Sequence, residues 1–572
     1  MKVLFIFPPI WDINLTMTLG IPLLSGMLKS QGHDVEILDG NSMFMNFVAS
    51  KEFFVHFENK IEFFKQCLQK EQNPFLINYL KYYIEMFYAH KQYLKPFYDK
   101  NPNPQKTLKE LQDSNINLQR YYSMLRSLIS RIFNNSYNSP SEKIPPQYGL
   151  FHDWELNNIY QKIVNFNPDL IGFSTNCPEQ FLWSKLFAKK IKQNITSKII
   201  FGGSEIFHLG NRILNKQYFN DCFDALIYGE GETAFKLLAQ NEKFENIPSL
   251  IWYDKPANKF VINKAKQENS TLNVAYFTEE NNDNITVNDV TYKHEGGFKF
   301  YKPNYEGIDF SKYFLPQSII NLEGSRSCYW NRCEFCLYVD GSTYKQKKVD
   351  DLIEEIKENI DKYNVSKFYF TDSAIHPEVA RELSKKILEN NLKLQWSSFL
   401  RLEPEFDEQL LKQMYNSGYR VALWGVESGS DRILKLYKKG TNSKTNAEIL
   451  KKASQAGFCN FCWIMVDFPQ ETIEDLDLTR QFVINNFDYI DYIQVCTFGL
   501  YKNAPLVKHL EDFGLNKKDF NFEGGIGNYN APQEIKNYSR QIEFEFKQMF
   551  REKMINWACS SDIIIKFSTI TK

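Results

Sequence analysis

The sequence predicts an α/β protein made of two successive sheet units. The first is an N-terminal doubly wound, Rossmann-like parallel sheet with a helical insertion. The second is a partial (βα)6 barrel, followed by a small, mostly helical C-terminal region. Three observations carry this reading. Short apolar runs alternate with amphipathic stretches over residues 1–42 and again from Asp153 to about 265, the order that gives a parallel sheet. An aromatic, Lys- and Asn-rich stretch over 43–148 breaks that alternation. Six more strand–helix units then run from 311 to 510, most of the way round a barrel.

Val3 to Phe7 is a short buried strand, ended by Pro8 and Pro9. Gly20 to Gly26 opens a helix, and Val35-Glu-Ile-Leu-Asp39 is the next strand. Residues 43–148 have helical periods at Phe53–Phe64 and Tyr79–Phe87, with prolines at 102, 104, 140, 145 and 146. Their aromatic stripes read most simply as helical core, and a substrate-binding lid is the sharper alternative. The strands Asp169–Ser174, Lys198–Gly203 and Ala225–Tyr228 lead into Ser174-Thr175, Gly202-Gly203-Ser204 and Gly229-Glu230-Gly231. Ligands of open parallel sheets bind at carboxyl strand ends, and glycine lets a large planar ligand approach the backbone. These eight residues are therefore candidate cofactor contacts. Tight strand–helix turns are the plainer reading, and Asp224 and Glu230 fit turn and cap roles better than catalysis.

Residues 266–310 are polar and Asn-rich, and read as a linker with room for a β-hairpin. The expected units are thus 1–265, the linker 266–310, the barrel 311–510 and the C-terminal region 511–572. The barrel strands are expected at Ser318–Leu322, Phe368–Thr371, Leu394–Ser398, Val421–Gly425, Phe461–Met465 and Asp491–Val495. Beyond them a helix is expected from Tyr538 to Trp557.

Lys and Arg number 68 and Asp and Glu 69, so the formal net charge of −1 gives no sign of a nucleic-acid partner. The N-terminal apolar run is too short for a signal peptide. Charge interrupts every apolar run before about 18 residues, so no membrane span is expected. The ten cysteines form no evenly spaced framework, which points to a reducing compartment. A cytoplasmic protein is expected.

Three of those cysteines are clustered. Cys328, Cys333 and Cys336 lie in Ser325-Arg-Ser-Cys-Tyr-Trp-Asn-Arg-Cys-Glu-Phe-Cys-Leu337, with no nearby histidine as a fourth ligand. Soft thiolates select zinc, copper(I) or iron–sulfur clusters. Structural zinc wants four protein ligands, whereas a cubane held by three thiolates keeps one iron open to another ligand. The aromatic setting of Tyr329, Trp330, Phe335 and Tyr338 would shield such a cluster from water. Zinc with a remote fourth ligand and three unrelated core thiols stay open on spacing alone. Cys459 and Cys462, with Cys496 on the next strand, form a weaker group that reads as core.

Further motifs give these residues a family likeness. They are Leu19-Gly-Ile-Pro22, Gly32-His-Asp-Val35, Pro168-Asp-Leu-Ile-Gly-Phe-Ser174, Phe201-Gly-Gly203 and Tyr228-Gly-Glu-Gly-Glu232, then Trp424-Gly-Val-Glu-Ser-Gly-Ser430, Lys439-Gly-Thr441 and Phe468-Pro-Gln-Glu-Thr472. The chain resembles a cobalamin-binding-domain radical S-adenosylmethionine enzyme, class B methyltransferase-like, over roughly 1–42 and 150–500. The resemblance implies a 4Fe-4S cluster on Cys328, Cys333 and Cys336, S-adenosylmethionine on the open iron, and cobalamin on the N-terminal sheet. It implies an external electron donor, flavodoxin or ferredoxin, and a small-molecule or peptide substrate. The implied reaction is C-methylation of an unactivated carbon through a deoxyadenosyl radical and methylcobalamin. A cyclase, ring-rearrangement or epimerisation enzyme with the same cofactors is the alternative, and a non-enzymatic cobalamin sensor is disfavoured by the intact cysteine triad.

By the same likeness Glu427, with Ser428 beside it, would contact S-adenosylmethionine. Arg401 would meet its carboxylate, which bidentate geometry suits, and Asp372 its amine. The plainer readings are a helix N-terminal carboxylate for Glu427 and a surface ion pair with Glu403 or Glu405 for Arg401. Three departures from the family pattern stand out. Four residues, not three, separate Cys328 from Cys333, which asks for a bulge at Trp330-Asn331. Asp467 and Gln470 replace two glycines of the Gly-Phe-Pro-Gly-Glu-Thr run, which puts the backbone contact to adenine in question. None of the eight histidines has Asp two residues before it, so the histidine lower-ligand motif for cobalt is absent.

Overall fold

The computed structural model describes residues 1–9, 15–88 apart from 79, 83 and 86, 103–114, 122, 156–266, 285–291, 299–336, 344–554 apart from 503, 517, 519, 524 and 525, and 562–570. The N-terminal strands are β1 (Lys2–Phe7), β2 (Asp34–Asp39), β3 (Leu170–Ser174), β4 (Lys198–Gly202), β5 (Ala225–Ile227), β6 (Leu250–Asp254), β7 (Lys259–Lys266) and β8 (Ile285–Thr291). They form one sheet in the order β2-β1-β3-β4-β5-β6-β7-β8. The first five are parallel, and the chain changes direction across the sheet between β1 and β3, where such sheets bind ligands.

Both faces of this half are covered, as the alternation demands. Val3, Phe5 and Phe7 enter one core and Leu4 and Ile6 the other, because successive strand residues point to opposite faces. Gly172 of β3 leaves room for the edge-on contact of Phe5 with Phe235, whose centroids lie 4.9 Å apart.

The five strands expected to be parallel are so, and three further strands make the sheet as a whole mixed. β6 runs antiparallel to β5 and β7, and β8 lies parallel to β7. β8 also falls inside the stretch expected as a linker. Its Ile285, Val287 and Val290 sit among Thr, Asn and Asp, which read as turn chemistry, and Val287 is exposed as on an edge strand.

The barrel half begins with β9 (Ile320–Leu322) and a short antiparallel ribbon of β10 (Ser325–Arg326) and β11 (Lys345–Gln346). It continues with β12 (Lys367–Phe370), β13 (Gln395–Leu400), β14 (Tyr419–Glu427), β15 (Cys459–Val466) and β16 (Tyr492–Thr497). The six long-range strands are all parallel, in the order β16-β15-β14-β13-β12-β9, and each expected barrel strand overlaps one of them. Helices Val349–Tyr363, Pro377–Glu389, Glu408–Asn416, Ser443–Ala456 and Ile473–Asn485 connect them. A three-stranded antiparallel sheet of β17 (Gly499–Tyr501), β18 (Asn521–Glu523) and β19 (Ile526–Asn528) joins the end of the barrel unit to the start of the C-terminal region, and its strands are too short to leave a periodic signal. The helix Gln533–Met549 follows.

The described part of the insertion is helical at Lys51–Leu68 and Pro104–Asp113; much of 43–148 lies outside the described residues. Gln105 donates to Ser318 just before β9 at 2.8 Å, Tyr122 donates to the Phe314 carbonyl at 2.9 Å, and Gln112 donates to the Thr569 carbonyl at 3.3 Å. Lys367, the first residue of β12, donates to the Phe567 carbonyl at 2.7 Å, to Ser568 and to Ile570. These contacts all lie at the amino-terminal ends of the barrel strands. The helix Pro104–Asp113 and Tyr122 therefore lie at the barrel floor.

Segment 299–322 ties the two halves together. Asn304 donates to the Pro22 carbonyl at 2.8 Å, and Asn321 donates to the Met17 carbonyl at 2.9 Å. Gly26 lies in the helix Gly20–Ser30 under this strap, and a Cβ there would sit 1.9 Å from the Lys302 carbonyl oxygen. Gly→Ala inside a helix ordinarily stabilises by about 1 kcal/mol. Here the sign reverses: Gly26→Ala is expected to lower unfolding free energy by about 2 kcal/mol through overpacking. Urea denaturation checks it, and a gain in stability would refute the strap.

Candidate functional site

Barrel chemistry collects at carboxyl strand ends, and β14 ends in an unusual way. A register shift follows Gly425, and Glu427 adopts φ +64. A left-handed glutamate is strained and persists only where its surroundings hold it. Glu427 Oε1 lies 2.7 Å from Lys439 Nζ, both side chains being buried. A Cβ on Gly425 would fall 2.5 Å from that carboxylate and 2.7 Å from the ammonium, so only glycine leaves room for the pair. Burial works against the Lys439 charge, but Glu427 and the nearby Cys333 hold its pKa above the usual lysine value.

Lys439 leads to the cysteine loop. Its carbonyl accepts from Arg401 Nη2, and Arg401 Nε donates to Glu403 at 2.7 Å. The Arg401 guanidinium lies 4.6 Å from the Trp330 ring centroid. Arg401 is buried, so its pairing with Glu403 is not the surface ion pair of the plainer reading. Trp330 Nε1 donates to the Lys438 carbonyl at 2.9 Å, and Tyr329 donates to Glu403 at 2.8 Å. Gly440, at φ +77, lies under the indole, where a Cβ would meet Trp330 at 2.0 Å. Both aromatic residues between the first two cysteines are thus pinned. Asn331 adopts φ +48 beside them, at the point where the longer spacing asks for a bulge.

The turn between the second and third cysteines is held as firmly. Cys336 N donates to the Cys333 carbonyl at 3.3 Å, and Glu334 N donates to the Tyr437 carbonyl at 3.0 Å. The buried Glu334 carboxylate pairs with Lys438 and lies 2.9 Å from His509 Nε2. Cys333 is buried, Cys328 and Cys336 are half-buried, and none is in a disulfide. Burial pushes the Cys333 thiol up, while the Lys439 and Arg401 charges oppose that. Among the described residues no three His, Cys, Asp or Glu groups, the three cysteines included, are gathered for a single metal ion. Three soft donors on one pinned loop, with two cations to offset thiolate charge, fit a cluster bound from one side.

The remaining sequence-predicted residues divide. The buried Asp372 accepts from Gly324 N at 2.9 Å and from Ser325 Oγ, so both carboxylate oxygens hold the start of the cysteine loop. Ser428 is buried with its hydroxyl 2.9 Å from that of Thr479. On the N-terminal sheet, Thr175 N and Oγ1 both donate to the Gly202 carbonyl, at 2.7 and 3.0 Å. Ser204, which follows Gly203, donates through its backbone N to the Asn176 side chain at 3.3 Å, and Ser174 closes β3. Gly203 is required by its own turn, with φ +103 and a Cβ position 2.2 Å from the Thr175 carbonyl; Gly229 has φ +80. Gly202 and Gly231 are not so constrained: a Cβ would meet nothing nearer than 3.8 and 3.5 Å. Their open space is what a ligand lying on the strand ends would use.

One residue joins the two sets. Arg326, two positions before Cys328, pairs with Glu230 at 3.1 Å, with Glu232 at 2.5 Å and with Glu323 at 2.8 Å. Glu230 lies in the loop after β5 and Glu232 opens the helix Glu232–Ala239 that follows, so both hold the cysteine loop from the N-terminal sheet. Sequence reasoning missed Arg326, gave Glu232 and Lys439 no role of their own, and named Glu403 only as a surface partner of Arg401. The signals were there, in Arg326 beside the cysteines and in Lys439-Gly-Thr441.

Two residues in and beside Phe468-Pro-Gln-Glu-Thr472, where the family run has glycine, take left-handed backbone conformations. Asp467 and Gln470 adopt φ +64 and +67. Their side chains reach C-terminal segments instead: Asp467 accepts from Ser539 at 2.6 Å, and Gln470 donates to the Asp512 carbonyl at 3.2 Å.

Two outcomes are expected. Arg326→Gln leaves three carboxylates without their cation and should cost about 3 kcal/mol, with part restored by adding Glu232→Gln; a double-mutant cycle in urea measures the coupling. Burial raises the Glu471 carboxyl to about 8 from an ordinary 4.5. The folded chain therefore holds an extra proton across that window, and stability falls as pH rises through it. Glu471→Gln should flatten the dependence of Tm between about pH 5 and 8; an unchanged slope would show that another group is responsible.

Residues 323–483 match the model of the Radical SAM superfamily. The chain is 24% identical over 368 residues to an uncharacterized methyltransferase of Pyrococcus horikoshii, covering 63% of this chain and 72% of that protein. It is 23% identical over 406 residues to 4'-phospho-dehydrooxetanocin synthase of Priestia megaterium, covering 64% of this chain and 48% of the relative, about half its length. In fold it is similar to the cobalamin-dependent S-adenosylmethionine radical enzyme OxsB, with TM-score 0.58 and 13% identity over 97% of this chain and 67% of that one. It is also similar to the radical S-adenosylmethionine methyltransferase TsrM of Kitasatospora setae, with TM-score 0.51 and 13% identity over 88% of this chain and 76% of that one. The pinned cysteine loop and its strand-end neighbours lie inside the span that matches the Radical SAM superfamily model, and the chain as a whole has the fold of cobalamin-dependent S-adenosylmethionine radical enzymes.

Proposed function

We propose that this chain is a cobalamin-dependent radical S-adenosylmethionine enzyme that methylates an unactivated carbon of a small-molecule or peptide substrate. The observation that carries the reading is the Arg326 clasp, which holds the cysteine loop against the strand-end loop of the N-terminal sheet. When bound, the cluster, S-adenosylmethionine and cobalamin together supply one-electron cleavage of a sulfonium and a transferable methyl group.

The chain's own residues orient these groups. Cys328, Cys333 and Cys336 would hold the cluster. Arg401 and Lys439 offset its thiolate charge, and their buried pairs with Glu403 and Glu427 fix where a carboxylate or hydroxyl of S-adenosylmethionine would lie. Asp372 acts on the loop, through Gly324 and Ser325. Gly202 and Gly231, with the turns at Thr175, Gly203 and Gly229, would let the cobalamin ring approach the backbone. Trp330, stacked between Arg401 and Gly440, keeps water from one side of the loop.

The test uses anaerobically reconstituted protein with reductant, cobalamin and methyl-labelled S-adenosylmethionine. Label recovered with cobalamin, and then in a product formed from a small-molecule extract, is the expected result. Deoxyadenosine without label transfer would instead support a non-methylating radical reaction. Zinc on all three cysteines by X-ray absorption, with neither product, would end the reading.

A further inference from the structure

The barrel strands present a lumen with a distinctive chemistry. Tyr369 pairs in register with Ser397, Leu423 with Phe461, Trp463 with Gln494 and Met465 with Cys496, so these side chains share one face. The opposite face is the helix side, since Asn460 of β15 donates to the Leu450 carbonyl in the helix Ser443–Ala456. On the lumen face Tyr369, Phe399, Trp463, Met465, Gln494 and Cys496 are only half-buried, although Phe368, Phe370, Leu400, Cys462 and Ile464 around them are buried. The lumen is therefore open at this level.

Its wall is aromatic. The Phe399 and Trp463 centroids lie 5.0 Å apart, and Trp463 lies 4.3 Å from Phe461. Charge is confined to its two ends. Lys367 at the floor is closed by three carbonyls, and Glu427 and Arg401 at the rim are bound to Lys439 and Glu403. Between them the lumen-facing positions of β12 to β16 carry no ionisable acid or base apart from tyrosine and cysteine. One polar group stands out. Gln494 Oε1 is buried with no hydrogen-bond partner among the described residues, and a buried acceptor left unpaired is costly.

From this geometry we infer that the reacting part of the substrate is an uncharged aromatic ring bearing one N–H or O–H donor, lying against Trp463 and Phe399 with its donor on Gln494 Oε1. The inference rests on the reading of the strand-end cleft as the substrate side of the enzyme. A flat ring gains contact area and stacking on such a wall, and the donor satisfies the orphan acceptor. A carboxylate or phosphate there would lose its hydration without gaining a free cation. Any anionic part of the substrate therefore stays outside the lumen.

The test needs no turnover, so its failure is separable from failure of the methylation reading. Protein reconstituted with cluster, S-adenosylmethionine and cobalamin is titrated with indole, benzothiophene and benzoate by saturation-transfer NMR. Indole is expected to bind. Benzothiophene, which lacks the donor, should bind about 5-fold more weakly, and benzoate at least about 10-fold more weakly. Trp463→Ala should abolish the indole signal and Trp463→Phe should retain it, which separates a lost wall from a lost fold. Gln494→Leu should remove the preference for indole over benzothiophene. Benzoate binding as well as indole, no indole binding at all, or indole binding unchanged by Trp463→Ala would each overturn the inference.

Discussion

A single guanidinium sets the relation between the two halves. Arg326 sits where the barrel chain turns out of β10 toward its first clustered cysteine, and it meets carboxylates from both units. Burying three acids and one base together is unfavourable unless the geometry is good. Lys345 pairs with Arg326 across the β10–β11 ribbon, and Lys347 makes its own buried pair with Glu355. The strand ends of the two sheets are thus brought toward one another by electrostatics, while segment 299–322 joins their apolar cores into one. A loose loop could hold a cluster, but it could not hold the cluster in register with a second sheet.

The strained backbone of the barrel collects near that junction. Ser327, Asn331, Glu427, Asp467 and Gln470 all have positive φ without being glycine, and each such residue costs on the order of 1 kcal/mol. The compensation comes from side chains. Glu427 gains Lys439, Asp467 gains Ser539, and Gln470 gains the Asp512 carbonyl. The C-terminal region therefore has a structural task at the site, through His509 on Glu334 and through the helix Gln533–Met549 on the loop after β15.

What the sequence made legible follows from the kind of signal each element leaves. Parallel strands buried on both faces are continuous apolar runs bounded by Gly and Pro, so β1 to β4 and all six barrel strands could be found from pattern alone. β8 could not, because an edge strand with one wet face looks like a polar loop. β17 to β19 are three residues each, too short for any period. At the site, the cysteines declare themselves by soft-donor chemistry at close spacing. Arg326 and Lys439 do not, since a cation's meaning depends on which carboxylates the fold brings to it, from 94 residues away in the case of Glu232. Asp372 was found by family likeness, as a contact to the S-adenosylmethionine amine, but its direction, into the loop, is a tertiary fact.

The floor of the barrel has a bearing on how the molecule comes together. Its closure joins Gln112 to Thr569 across 457 residues and Lys367 to Phe567 across 200. Such pairings must absorb the entropy of closing very long chain segments before they give anything back. The strands and helices between them can assemble from nearer neighbours. The seal at the base is therefore a late event in acquisition of the native state, and until it forms the apolar interior of the cylinder stays open to water from below.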